Sequence, residues 1–247
     1  TIQPVKNCAG TLPNTIGVFA HELGHGFGLP DLYGVGSSQN GIGNWGLMGT
    51  GSWGCDGQSA ERPCHMSAWS KAFLGWIDLE VLPSSGDLGT LTLPPVETTG
   101  KVYRIDAGDG SGEYFLLENR QSLGFDQNLL SPGLLVWHVD PLYIANHWYG
   151  INSDGDHHGV WLRQADGRND LNRTSGGRGD SGDPFPGAFQ VRDLHATTNP
   201  GSWSHDGTAM GITLMDIQVV DEDVAFWAVT GFQALTLRTQ GAPGGLG

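Results

Sequence analysis

The chain has 247 residues, 38% hydrophobic and only 15% charged, a balance that supports a buried core and excludes a disordered polymer. Its formal charge of -14 repels nucleic acid and anionic membranes, and no apolar run is long enough to span a bilayer. The 40 glycines follow no fixed period, which points to many turns rather than a fibre. In chain order, residues 1–14 are polar and broken by Pro4, Gly10 and Pro13. Asn14 or Thr15 can cap a helix carrying Ile16, Phe19, Ala20, Leu23 and Phe27 at helical spacing, an amphipathic pattern ended by Gly26 and Gly28, with Pro30 forbidding continuation. Residues 34–64 read as a Gly-rich loop with Trp45, Met48 and Trp53 embedded in it. A short helix is predicted at about 66–75, through Met66, Trp69, Phe73 and Leu74. Strand-length apolar runs follow at 90–93, 102–107, 114–118, 134–139, 160–164, 212–219 and 224–230, and Gly241 to Gly247 reads as a linker.

Cys55 and Cys64 bracket a Gly-containing loop and can close a short disulfide, which fits an oxidising compartment, while Cys8 is left over. The chain begins at Thr and shows no signal-peptide pattern, so a processed product or a fragment is expected.

His21 and His25 are four residues apart and share one face of the first predicted helix, where two imidazoles can hold one Zn²⁺. Glu22 follows the first His and can take a proton from a water on the metal, making it the candidate general base of a peptide hydrolysis. Zinc needs a third protein ligand. A Glu on a later helix is one placement, but no Glu occurs between Glu22 and Glu61. The other breaks the helix at a glycine and returns the chain at once; Gly28 can take a positive φ, which leaves Asp31 as third ligand.

With these residues in hand, the sequence resembles the metzincin clan of zinc peptidases, in the variant that ends in Asp. Asn44-Trp45-Gly46-Leu47-Met48-Gly49 resembles that clan's turn, with Met48 beneath the metal. Gly17 to Tyr33, Gly49 to Trp53, His65 to Lys71, Leu74-Gly75-Trp76, Glu113 to Arg120, Gly133 to Asp140 and Gly179 to Gly187 resemble the immune inhibitor A family of bacterial metallopeptidases. The resemblance covers about residues 16 to 230. It implies a secreted endopeptidase acting on proteins or peptides, with zinc and structural calcium. Asp180 and Asp183 are the calcium candidates it supplies.

The expected organisation is α+β: a metzincin-like active-site helix and Met-turn in residues 1–80, a β-rich part of the same unit in 81–232, and a C-terminal linker in 233–247. Only about twenty residues precede His21, so the upstream sheet half of such a domain is expected to be missing, with additional domains possible on either side. A calcium-stabilised binding module without turnover is therefore an alternative. A serine hydrolase is a third reading, because Gly179 to Pro184 resembles a serine-peptidase segment with Ser181 as nucleophile, although the histidine segment of that family is absent. Of the other histidines, His138 ends an apolar run before Asp140 and is the candidate to reach the cleft. Tyr33 and Tyr143 are candidate oxyanion donors.

Overall fold

A computed structural model describes Lys6 and residues 13–36, 40–173 and 177–232; Cys8 and the linker expected at 233–247 lie outside the described residues. Helix α1 spans Ile16–Gly26. Its end is a Schellman turn: Gly28 has φ +94°, its N–H donates to the His25 carbonyl (2.9 Å), and the Leu29 N–H donates to the Gly24 carbonyl (3.1 Å). Thr15 occupies the N-cap without a side-chain capping bond.

The orientation of α1 reverses the expected amphipathicity. Ile16, Phe19, Leu23 and Phe27 are all exposed, at 43–58%, while Gly17, His21 and Gly24 face inward. The reason is close approach rather than apolar burial. A Cβ on Gly17 would lie 1.9 Å from the Ser52 carbonyl oxygen, and one on Gly24 would lie 2.5 Å from the Met48 Sδ. Glycine at these two positions lets the 44–60 loop press against the helix.

Helix α2 spans Ala68–Leu74; the Ser67 hydroxyl accepts from the Ser70 N–H at its start, and Gly75 ends it in the left-handed region. Then come β1 (Asp78–Val81), β2 (Gly86–Leu93), the short α3 (Val96–Thr99), β3 (Lys101–Asp106), β4 (Tyr114–Arg120), β5 (Gly133–Val139), α4 (Pro141–Asn146), β6 (Val160–Leu162), β7 (Ile212–Val220) and β8 (Asp223–Thr230). Seven of these strands coincide with the apolar runs. β1, α3 and α4 were not expected. β1 is short and solvent-exposed and runs through position 80; α4 starts from Asp140, whose side chain accepts from the Tyr143 N–H, with Pro141 in its first turn.

The strands form two sheets, β1-β3-β4-β5-β6 and β2-β8-β7, antiparallel throughout except for the parallel β1–β3 pair. The five-stranded sheet is the middle layer. Leu135, Trp137 and Val139 of β5 and Leu116 of β4 pack with Leu29, Leu32, Trp45, Met48 and Trp69 from the α1–α2 segment. The alternate residues Phe115, Leu117, Leu134 and Val136 pack with Leu214, Val224 and Phe226 of the smaller sheet. β5 is buried along its whole length because both of its faces are covered.

Charges are also buried on the α1 side of this sheet. Glu118 and Arg120, two apart on β4, project from the same face. Arg120 donates to Asp126 (Nε–Oδ2 2.6 Å) and to the Trp45 carbonyl (3.2 Å), while Glu118 accepts from Lys71 (2.5 Å) and from the Trp137 indole (2.8 Å). The Cys55–Cys64 disulfide forms as expected and closes the loop beside this network. Arg120→Ala leaves Asp126 and Glu118 short of a buried partner and is expected to cost roughly 3–5 kcal/mol in urea unfolding. Lys101→Ala, at the exposed Lys101–Glu80 pair, is expected to leave the midpoint unmoved.

Candidate metal centre

The inward face of α1 presents His21, one turn below His25, toward Asp31 on the loop that follows the Schellman turn. His21 Nε2 lies 3.1 Å and His25 Nε2 3.3 Å from the same oxygen, Asp31 Oδ1. For a tetrahedral zinc ion with bonds of about 2.0–2.1 Å, the separation between two ligand atoms is about 3.3 Å, so each histidine already stands at about the spacing from Asp31 that such an ion requires. The other nitrogen of each ring is held by a backbone carbonyl: His21 Nδ1 by Leu47 (2.9 Å) and His25 Nδ1 by Leu29 (2.8 Å). Donation from Nδ1 places the lone pair on Nε2, the tautomer a metal ligand needs. The donor set fits zinc.

Around the triad, Met48 lies directly beneath Gly24 and is wholly buried, and its carbonyl accepts from the Leu32 N–H (2.8 Å). Glu22 shares a cleft of about 310 Å³ with His21, Tyr33, Thr50 and Trp53. The Tyr33 ring stacks on His21 at 6.2 Å, and its hydroxyl interacts electrostatically with Asp31. Burial pushes the Tyr33 phenol up to about 12, with the Asp31 and Glu22 charges adding to the effect, so it remains a donor across the working pH range.

The comparisons decide what this arrangement is similar to. Residues 1–77 match the family described as immune inhibitor A peptidase M6, catalytic domain. Two curated relatives, the pre-pro-metalloproteases PrtV of Vibrio cholerae serotype O1 strains M66-2 and ATCC 39315 (El Tor Inaba N16961), are each 37% identical over 90 residues. That overlap is 33% of this chain and 9% of each relative, so the chain spans about a tenth of their length. The resemblance to the M6 peptidases read from the motifs is thus shown over residues 1–77, and His21, Glu22, His25, Asp31 and Met48 all fall within that matched segment.

The remaining site residues lie elsewhere. Asp183 is buried, and its Oδ2 accepts from the Trp45 indole (2.8 Å) and the Asp180 N–H (2.8 Å), while Asp180 Oδ1 accepts from the Gly182 N–H (2.6 Å). The pair therefore braces the turn that carries Leu47 and Met48. Ser181 is exposed, and no hydrogen bond among the described residues joins its hydroxyl to a histidine, so the structure gives the serine-nucleophile reading no base. The expectation that His138 reaches the cleft is also corrected. It projects from β5 on the face opposite the α1 segment and bonds to Glu113 (2.5 Å).

Several supports of the site carry no sequence signal. The carbonyls of Leu29 and Leu47 act through backbone position alone. Asn152, wholly buried, donates to the Leu32 and Val160 carbonyls (2.9 and 2.8 Å) and so ties the Asp31 loop to β6. Tyr33 had a weak signal, a phenol two residues past a candidate ligand.

Protons compete with a metal for these donors. Burial alone would lower His21, but the Asp31 hydrogen bond, the Leu47 carbonyl and the Asp31 and Glu22 charges raise it above the ordinary histidine value. Burial would raise Asp31, but the hydrogen bond from His21, the Tyr33 hydroxyl and the neighbouring imidazoles lower it. Asp31 is thus ready as an anion, whereas His21 holds its proton to a higher pH than a free histidine. Zinc affinity, measured by competition with a chromophoric chelator, is expected to weaken as pH falls and the imidazoles take up protons. An affinity that stays flat from about pH 8 to 5 would contradict this order of events.

Proposed function

We propose that this chain carries the metal-binding and proton-transfer groups of a metzincin-type zinc endopeptidase that hydrolyses peptide bonds in proteins or peptides. The observation that carries the reading is the convergence of His21 Nε2 and His25 Nε2 on Asp31 Oδ1, at 3.1 and 3.3 Å, with His21 lining the same cleft as Glu22. His21, His25 and Asp31 hold the ion. A zinc ion there supplies Lewis-acid polarisation of the scissile carbonyl and acidifies the attacking water. Glu22 takes the proton of that water and returns it to the leaving amine. Tyr33, kept protonated in the same cleft, is placed to donate a hydrogen bond to the developing oxyanion. Leu47 and Leu29 hold the histidine tautomers, and Met48 fills the space under Gly24.

A secreted location agrees with the Cys55–Cys64 disulfide, and no helix among the described residues is long and apolar enough to cross a membrane. Structural calcium at Asp180 and Asp183 is part of the same reading. Burial raises Asp183 to about 7, and the charges of Asp180 and Asp166 add to the rise, an electrostatic load that a dication relieves. One observation favours the alternative of a binding module without turnover: the exposed row Ile16, Phe19, Leu23 and Phe27 offers an apolar face along the very helix that carries the metal ligands.

Glu22→Gln is expected to keep zinc and to lower casein cleavage by at least ~10²–10⁴-fold. Normal cleavage by that variant would overturn the role of Glu22, and a wild-type chain that holds zinc yet cleaves nothing would favour the binding module. Because an Asp ligand leaves the ion less positive than a third His would, the activity optimum is expected at neutral to alkaline pH, and a sharply acidic one would count against the site. Removing calcium at fixed zinc is expected to lower the melting temperature; an unchanged melt would remove Asp180 and Asp183 as calcium ligands.

A further inference from the structure

A second group of metal-ligating side chains lies at the end of β5 and shares no residue with the α1 triad. Asp140, His157 and His205 each offer one donor atom within 4.8 Å of the others. The set repeats the chemistry of the first site, two imidazoles and an aspartate, and three features make it a built site rather than a chance cluster.

The first is the orientation of His205. Its side chain is only 6% exposed, and its Nδ1 lies 3.0 Å from Glu113 Oε2. A ring that donates from Nδ1 carries its lone pair on Nε2, and Nε2 is buried without a hydrogen-bond partner among the described residues. A bare imidazole nitrogen left in the interior costs desolvation free energy that a cation would recover. Carboxylate to imidazole to metal is the usual outer support of a histidine ligand. Hydrogen bonds from His138 and His205 hold Glu113 well below the usual carboxylate range despite its burial, so it persists as the acceptor this support requires.

The second is the preparation of the other two donors. Asp140 Oδ1 is occupied by the Tyr143 N–H (2.9 Å), which leaves Oδ2 to face His157 Nε2 at 2.8 Å. The His157 ring lies parallel to His205, with centroids 3.9 Å apart. At 31% exposure that ring has room for the tilt that sharing one ion with His205 would require.

The third is access and charge. Tyr143 stacks on both His147 and His157, with centroids 4.0 Å apart in each pair. The rings thus form a column from exposed His147 to enclosed His205. The charges of Asp154 and Asp140 act on Tyr143, and those of Asp154 and Asp156 on His158. The opposing cation, Arg163, acts on Glu113 and on His138.

We propose that Asp140, His157 and His205 form a second metal site for a zinc-class dication, with Glu113 as the positioning residue for His205. This inference does not depend on the peptidase reading. Its test uses the whole chain dialysed against zinc, with metal measured per folded chain. The double variant His21→Ala/His25→Ala removes the first site and is expected to retain about one zinc per chain. Adding His157→Asn, a change at a partly exposed ring, is expected to abolish that zinc with the circular dichroism unchanged. Adding Glu113→Gln instead is expected to weaken it about 10–100-fold. Cobalt(II) in the double variant is expected to give the visible bands of a tetrahedral nitrogen–oxygen site, lost on His157→Asn. A double variant that binds no zinc makes the cluster a hydrogen-bonded network only and overturns the proposal. Zinc that survives His157→Asn lies elsewhere and overturns it equally.

Discussion

Arg120 fixes the relation between the sheet and the metal centre. Its guanidinium is wholly buried, it faces Asp126, and it also donates to the Trp45 carbonyl in the turn that supplies Leu47 and Met48. Two residues earlier on the same strand, Glu118 gathers Lys71, the Trp137 indole and the Ala68 N–H. Two pieces of the site's surroundings, the turn and α2, are referenced to this node. The turn holds the His21 tautomer through Leu47, and α2 is anchored by Glu118. The segment from 178 to 183 clasps the turn from outside, through the Arg178 carbonyl on the Asn44 N–H and through Asp183 on the Trp45 indole. Burying this much charge is costly. Its return is a precise placement of backbone carbonyls, which no apolar packing specifies as sharply.

Much of this was legible beforehand, and the pattern of what was not is informative. The two histidines, Glu22, the glycine break and Asp31 form a local pattern whose meaning depends only on helix geometry and a positive φ, so the sequence displays it directly. Seven of the eight strands were readable because each carries an apolar run bounded by turn residues, and the exposed β1 was not. The outward face of α1 was not readable. Spacing shows that Ile16, Phe19, Leu23 and Phe27 share a face, but not that Gly17 and Gly24 make the opposite face the one that other chain segments approach. The histidine cluster at β5 escaped for a different reason. Its members are 113, 138, 140, 157 and 205, and only the pairing of Phe115 with His138 across β4 and β5 brings the first of them together. Long-range register is invisible to motif reading.

The middle sheet consequently has two polar faces as well as two apolar ones. Toward α1 it presents Glu118 and Arg120. Toward the smaller sheet and the β6–β7 connection it presents His138, with Glu113 just ahead of β4. Alternation along β4 and β5 keeps the two sets apart. The same strand order can therefore support two separate polar centres without either set of charges disturbing the other's hydrogen bonds.

The clasp by Asp183 and Asn152 has a consequence for the order in which the protein is made. Helix α1 leaves the ribosome before the groups that steady the turn and the Asp31 loop beside it, which lie at positions 152 and 178–183. At a synthesis rate of ~5–20 residues per second, roughly 8–30 s separate the appearance of His21 from that of Asp183. Throughout that interval the ligands exist but the carbonyls that set their tautomers are not yet fixed. The ligand motif is thus made before the segments that hold its surroundings in place.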